Sequence, residues 1–368
     1  MRQISISSLI DKSVGRTRLI LFEPFRLKKW LVLLFIAALA GQLGGGGGGG
    51  NPATPAKKNH TQTTTAAAKT FVGNAQSEDE LAAPAKPAPA ETAREKFDTA
   101  FQKGGAVAGF VLLLFLIAAF FAVFVFFVWL GSRFEFIWLH ALIKNDASVR
   151  APFGTYRLQG NSNFVWGILI GLAFVVIIGI TLALGAIAPA AGGAFRPDFK
   201  WTPVLALKFF TLPGFFVLAE LVFFGVVMVF INDFVLPIMM IDNCTLPQGW
   251  RAFREVLAQN QRDLTLYIFV KIALWILTGI IGLIAVIALL IAMVLVGLVL
   301  FGVPFLIFNA LKLKIVFWIY AVIAGVPAAV AALLLLMSVN LPLAVFRRCF
   351  SLYYFTSLKT KYALLPLA

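Results

Sequence analysis

Cysteine and histidine are almost missing from this chain, two of each among 368 residues, and each scarcity excludes a class of protein. Cys244 and Cys349 are too few for a disulfide framework and lack metal-ligand spacing. Both fall on segments expected at the inner face of a membrane, so free thiols are expected rather than a bridge. His60 and His140 stand apart from the neighbours a metal centre needs, and no cofactor is expected. Charge is scarce as well. Asp, Glu, Lys and Arg make up 13% of the residues, against about 25% in ordinary soluble domains, which excludes a soluble globular chain.

In place of charge there are long apolar runs. Residues 104–131 hold 28 positions without one charge, and residues 264–310 hold 47 interrupted only by Lys271. A hydrocarbon core about 30 Å thick is crossed by roughly 20 helical residues. Backbone groups in lipid must satisfy one another, so runs of this length are helices. The expected fold class is an all-α integral membrane protein of about six transmembrane helices with amphipathic interfacial connector helices.

The formal net charge of +15 would suit nucleic acid if a compact basic domain held it, and none does. The Lys and Arg residues sit beside the apolar runs, where they set topology and attract anionic headgroups. Membrane lipids are therefore the expected partners, with no nucleic acid.

Three regions follow. Residues 1–43 are a basic leader of seven Lys and Arg ending against a first span that begins at Trp30; a cleaved signal is the alternative, but no Ala-x-Ala site closes the stretch. Leu19 and its apolar neighbours in the leader suggest an interfacial helix. Residues 44–103 open with seven glycines and run through Thr, Ala, Pro and Lys, a composition that reads as a disordered linker ending in a short amphipathic helix. The glycine run lacks the Gly-Lys-Ser/Thr ending of a phosphate loop. Residues 104–368 form the bundle, with spans at about 106–131, 164–188, 213–240, 264–300 and 315–341.

Thr211 and Pro213 suit the cap and first turn of the 213–240 span. Phe134 to Lys144 suits a helix lying in the interface. Gly297, Gly302 and Pro304 mark either a turn or a broken helix within the fifth run. Counting basic residues, the positive-inside rule favours six spans in the cytoplasmic (inner) membrane with both termini in the cytoplasm.

Phe153-Gly-Thr-Tyr-Arg157 and Trp250-Arg-Ala-Phe-Arg254 echo one another. Both predict amphipathic connectors whose aromatics dip below the headgroups while Arg157 and Arg254 meet lipid phosphates. The basic leader into Trp30, the turn Phe234-Val-Leu-Pro-Ile-Met, the helix Gly249-Trp-Arg-Ala-Phe-Arg-Glu, the segment Leu266-Tyr-Ile-Phe-Val-Lys and the ending Leu341-Pro-Leu-Ala-Val-Phe-Arg-Arg resemble a group of uncharacterised bacterial multi-span proteins. That group is similar to the membrane domain attached to some glycerophosphodiester phosphodiesterases. The resemblance implies a helical bundle with interfacial connectors and no assigned activity, since the catalytic barrel has no counterpart in the chain.

Within the spans the ionisable residues are Lys208, Glu220, Asp233 and Lys271. Such groups are costly in lipid; Lys208 sits near an outer boundary where it can snorkel, and Glu220, Asp233 and Lys271 are the candidate site residues. Antiparallel spans bring Asp233 and Lys271 to a similar depth, where an ion pair would fix helix register. Glu220 has apolar neighbours, and Thr278 and Asn340 are its candidate partners. No nucleophile with its base, paired acids or metal cluster is recognisable, so the expected function is a non-enzymatic lipid-interacting or scaffold module. A small-solute transporter using Glu220, Asp233 and Lys271 is the alternative.

Overall fold

A computed structural model describes residues 5–43, 89–193, 196, 202–358, 361–362 and 364–365, with 89–107 described by their backbone alone. The described residues form eleven α-helices and no strand. These are α1 (Ile6–Leu21), α2 (Leu27–Leu39), α3 (Pro89–Lys144), α4 (Arg150–Thr155), α5 (Arg157–Ala191), α6 (Pro203–Phe230), α7 (Leu236–Asp242), α8 (Leu246–Gln259), α9 (Gln261–Gly297), α10 (Val303–Ala310) and α11 (Lys314–Ser357). The chain divides into two compact units, Ala53–Phe126 and the remainder. In the smaller unit the helix already runs at Pro89 and continues as α3, with every described side chain from 108 to 124 exposed. The expected short amphipathic helix is thus the first part of α3 itself; the expected linker at 44–88 lies outside the described residues.

Five stretches are long and apolar enough to cross a membrane: Ala108–Lys144, Arg157–Ala191, Pro203–Asp242, Gln261–Ala310 and Lys314–Ser357. The sixth expected span is corrected. α2 has 13 residues, about 20 Å at 1.5 Å each and short of a 30 Å core. Gly41 adopts φ +68°, and the Gln42 and Gly41 amides bond back to the Ala37 and Ala38 carbonyls at 2.9 and 3.1 Å. That left-handed glycine cap ends α2 before it reaches a spanning length. Leu33, Leu34, Ile36 and Ala37 are buried, and α2 packs against α11.

In the larger unit, α1, α2, the last part of α3, α4, α7, α8 and the adjoining ends of α5, α9 and α11 share one core. α1 buries Leu9, Ser13, Thr17 and Ile20, one helical face, against α11. Ser13 and Thr17 donate to the Leu9 and Ser13 carbonyls, so their buried hydroxyls stay satisfied. Arg16 Nη2 donates to the Leu142 and Ile143 carbonyls at 3.0 and 2.8 Å, and Lys29 Nζ to Asn145 Oδ1 at 2.8 Å. Two leader cations counted for topology therefore cap the C-terminus of α3, where the exposed carbonyls favour positive charge.

Phe134 to Lys144 is not an interfacial helix. Phe136, Ile137, Trp138, Leu139 and Leu142 are almost wholly buried, because apolar residues surround this helix on all sides. The connector aromatics are corrected in the same way. Phe253 is buried against Phe230 and Phe234, and Tyr156 stacks on Phe136 and shares a hydrogen bond with His140 at 3.0 Å.

Two hairpins extend from this core. α6 starts ten residues earlier than the expected span, with Thr202 as its cap and Pro203 in its first turn. Thr202-Pro203 carries the same start signal as the Thr211 and Pro213 region, and the earlier one prevails. Pro213 is accommodated inside the helix at a notch on α5, where a β-carbon on Gly185 would stand 2.6 Å from the proline ring. Phe174 stacks on Phe224 with ring centroids 4.0 Å apart across the same pair.

The second hairpin resolves the choice within the fifth run. α9 continues through a π-helical turn at Leu298–Gly302 into α10, without a reversal. Pro304 cannot donate to the carbonyl four residues back, which is that of Leu300. The Tyr320 hydroxyl, from α11, donates to it at 2.8 Å instead. The reversal comes at 311–313, where Lys312 takes φ +58° and the Leu313 amide returns to the Phe308 carbonyl at 2.8 Å.

This architecture places residues 147, 255 and 365 at the packed end and the turns near 196 and 312 at the far ends of the hairpins. Reporter fusions after 147, 255 and 365 should therefore read one side of the membrane and fusions after 196 and 312 the other. A fusion at 312 reading with 255 would show that the second hairpin does not cross.

Candidate functional site

The site grows from a local irregularity in one helix. Between α6 and α7 the backbone widens into a π-helical turn, Ile231–Val235, and the Leu236 amide bonds to the Ile231 carbonyl. Pro237 follows two residues after this turn, as Pro304 follows two residues after the π turn of α9. Such bulges recur at functional sites because the extra residue re-aims its neighbours. Here every residue of the turn is buried, including Asn232 and Asp233.

Asp233 stands between two cations from two other helices. Lys271 Nζ of α9 lies 3.0 Å from Oδ2 and Arg348 Nη1 of α11 lies 3.1 Å from Oδ1. The Tyr267 hydroxyl donates to Oδ2 at 2.7 Å and stands 2.8 Å from Ser351 Oγ, which accepts from Lys271 Nζ at 2.7 Å. The structure thus brings Asp233 and Lys271 together and adds Arg348, Tyr267 and Ser351. Phe234, next along the π turn, packs its ring against Phe253, Tyr267 and Phe355 and closes the apolar side.

Glu220 stands elsewhere. It lies 13 residues before Asp233 along the α6 helix, about 20 Å away at 1.5 Å per residue, and accepts a hydrogen bond from Thr181 of α5. Thr278 and Asn340 are not its partners: the Thr278 hydroxyl donates to the Leu274 carbonyl, and Asn340 lies beside Gly282. The second Glu220 oxygen is buried without a partner. Arg157 and Arg254 are both exposed, at the start of α5 and on α8.

A cavity of about 510 Å³ opens directly above the triad. Its walls are apolar residues of α6 and α9, among them Val222, Gly225 and Trp275, and its floor carries Asn232, Asp233, Lys271, Arg347 and Arg348. Glu220 does not line it.

Sequence reasoning gave no site role to Arg347, Arg348, Tyr267 or Ser351, and it missed the burial of Glu135. Arg347 and Arg348 read as topology-setting cations beyond the last span, yet α11 continues to Ser357 and carries Arg348 into the core. Glu135 reads as part of an interfacial connector, yet it is buried and accepts from Asn163 Nδ2 at 2.9 Å. The only warning in the sequence is the lack of a helix breaker after Pro342: residues 343–357 contain neither Gly nor Pro. Cys244 and Cys349 are both free thiols, and burial pushes the Cys244 thiol above its ordinary range.

Helices of this length and exposure define an all-α membrane protein. The sequence matches a family of unknown function (DUF7544) over residues 5–365, and the chain belongs to that family. No curated protein and no solved structure matches it. The family match carries no link to phosphodiesterase membrane domains.

The triad has one anion and two cations, and this asymmetry sets its response to mutation. Asp233→Asn strands Lys271 and Arg348 together and should cost about 3–5 kcal/mol, the usual loss on orphaning a buried charge. Lys271→Met removes the contacts to Asp233 and Ser351 but leaves the Asp233 and Arg348 pair intact, and should cost less, about 1.5–3 kcal/mol, the range of a charged hydrogen bond. Thermal unfolding of the detergent-solubilised variants measures both. Equal losses would show that Arg348 does not share the carboxylate.

Proposed function

We propose that this protein is a non-enzymatic integral module of the inner membrane that interacts with anionic lipid, its packed end at the cytoplasmic leaflet. The observation that carries the reading is the distribution of exposed charge. Arg26, Lys28, Arg150, Arg157, Arg251, Arg254 and Arg262 are exposed on segments of the packed end, as is Arg18, which pairs with Glu23. Exposed apolar side chains dominate the hairpins beyond it, from Val165 to Ile187 on α5 and from Ile272 to Val296 on α9. Each cation near an anionic leaflet contributes about 1 kcal/mol of attraction, so several together hold such lipids while the apolar helices stand in hydrocarbon.

A non-enzymatic role is supported by how Asp233 is used. Its oxygens are taken up by Lys271, Arg348 and Tyr267, which leaves it a structural anion rather than a free base. The finer likeness to the membrane domain attached to some glycerophosphodiester phosphodiesterases belongs to the same proposal. Its support is that the motifs carrying it, Phe234 to Met239 and Gly249 to Glu255, lie in the packed end. The cavity beside Lys271 favours the alternative of a small-solute transporter, but a route through Glu220 would have to leave that cavity, whose lining excludes it.

The test is the lipid retained around protein reconstituted in discs of mixed phosphatidylglycerol and phosphatidylcholine. Phosphatidylglycerol should be enriched over the bulk at low salt, less so as salt screens the exposed charges, and less again in the Arg157→Gln, Arg254→Gln double variant. Retained lipid of bulk composition at every salt concentration would defeat the reading.

A further inference from the structure

We infer that the cavity above Asp233 is a binding site for one anionic phospholipid, its phosphate on the polar floor and an acyl chain along the wall between α6 and α9. The inference rests on the lipid-interacting reading and gives it a single address. Four charged side chains line the cavity, Asp233, Lys271, Arg347 and Arg348, and their formal sum is +2. The one carboxylate is occupied by Lys271 and Arg348, so the excess positive charge has no counter-ion in the lining.

Two further observations point to a ligand. Asn232, more than nine-tenths buried, is among the residues lining the cavity, and its Nδ2 has no hydrogen-bond partner. Arg348 Nε, equally buried, also has none. Buried donors left unpaired are costly, and both lie just behind the floor, where a small side-chain rotation would turn them toward an oxyanion that Lys271 and Arg347 meet first. Arg347 reaches only Thr278 Oγ1, at 3.5 Å, and no carboxylate among the described residues pairs with it.

The walls select the rest of the ligand. Val222, Ile272 and Trp275 line the cavity and are also about half exposed, so its apolar face is continuous with the outer surface of the hairpins. The floor lies where the buried core begins and the exposed apolar helices end. A phosphate at that level and a chain running up the wall match the order of a lipid in the leaflet; a water-soluble phosphate would leave the apolar wall unfilled.

The experiment is native mass spectrometry of the full, delipidated chain in detergent, with add-back of dioleoyl phosphatidylglycerol, dioleoyl phosphatidylcholine or glycerol 3-phosphate. One saturable phosphatidylglycerol adduct is expected, about tenfold or more tighter than any phosphatidylcholine adduct, as befits charge-assisted hydrogen bonds. Arg347→Gln should weaken it about tenfold and Arg347→Lys less. Gly225→Leu should abolish it by filling the wall; a β-carbon there meets nothing within 4 Å, so the fold tolerates the change. Its unchanged melting temperature separates loss of the site from loss of the fold.

Equal binding of the two lipids, or wild-type binding by both Arg347→Gln and Gly225→Leu, would overturn the inference. Displacement of the adduct by glycerol 3-phosphate would overturn the lipid source in favour of a soluble anion. Salt-dependent enrichment around Arg157 and Arg254 without a saturable adduct would sink the cavity site alone, and loss of both would sink the wider reading.

Discussion

A carboxylate withdrawn from water must receive its counter-charges from the same fold that withdraws it. Asp233 meets this condition with Lys271 from α9 and Arg348 from α11, so one side chain fixes the relative register of three helices. The attraction alone is weak grounds for stability, because desolvating three charges offsets much of it. What it does supply is uniqueness. Sliding α9 or α11 by one turn would leave an ion unpaired in an apolar core, which is far more costly than a slipped contact between leucines. The aromatic packing of Phe234, Phe253, Tyr267 and Phe355 is built around that register.

The proline positions show how the backbone is made to serve this. Pro237 and Pro304 each stand two residues beyond a π-helical turn inside an otherwise continuous helix. A proline frees the carbonyl four residues back and crowds the preceding turn, and widening the helix relieves the crowding. In the outer hairpin the freed Leu300 carbonyl is answered by Tyr320. In the core, the residue whose carbonyl Pro237 frees is Asp233 itself. The same device thus serves simple continuity in one place and presents a charged side chain to its partners in the other.

Much of this was legible in the sequence and some was not, for physical reasons. Apolar runs longer than a core helix announce membrane helices whatever their neighbours, so five of the six expected spans correspond to long apolar helices. The spacing of Asp233 and Lys271 from their helix ends likewise leads to their meeting. Local signals fail where two readings share one pattern. Trp30 to Gly41 looks like the start of a span until a left-handed glycine closes it. Thr202 with Pro203 and Thr211 with Pro213 carry the same start signal, and only packing against Gly185 shows that the second proline lies inside the helix. Arg16, Lys29, Arg133 and Arg348 look like topology charges because composition cannot tell a cation facing a headgroup from one capping a helix or answering a buried acid. Arg133, for instance, lies over the Trp129 and Phe153 rings and donates to Asn161.

The basic excess of the chain therefore has two parts with different physics. Exposed arginines such as Arg157 and Arg254 act through a screened field that reaches about 8–10 Å and discriminates poorly among anions. Arg347 and Arg348 face a cavity whose apolar walls raise the strength of each contact and demand a ligand that fills the walls as well as the floor. A membrane surface gathers anionic lipid by the first mechanism; selection of one lipid requires the second. On the lipid-interacting reading proposed above, placing both at the level where the buried core gives way to exposed apolar helix would put a selecting cavity beside the lipids that the outer charges gather.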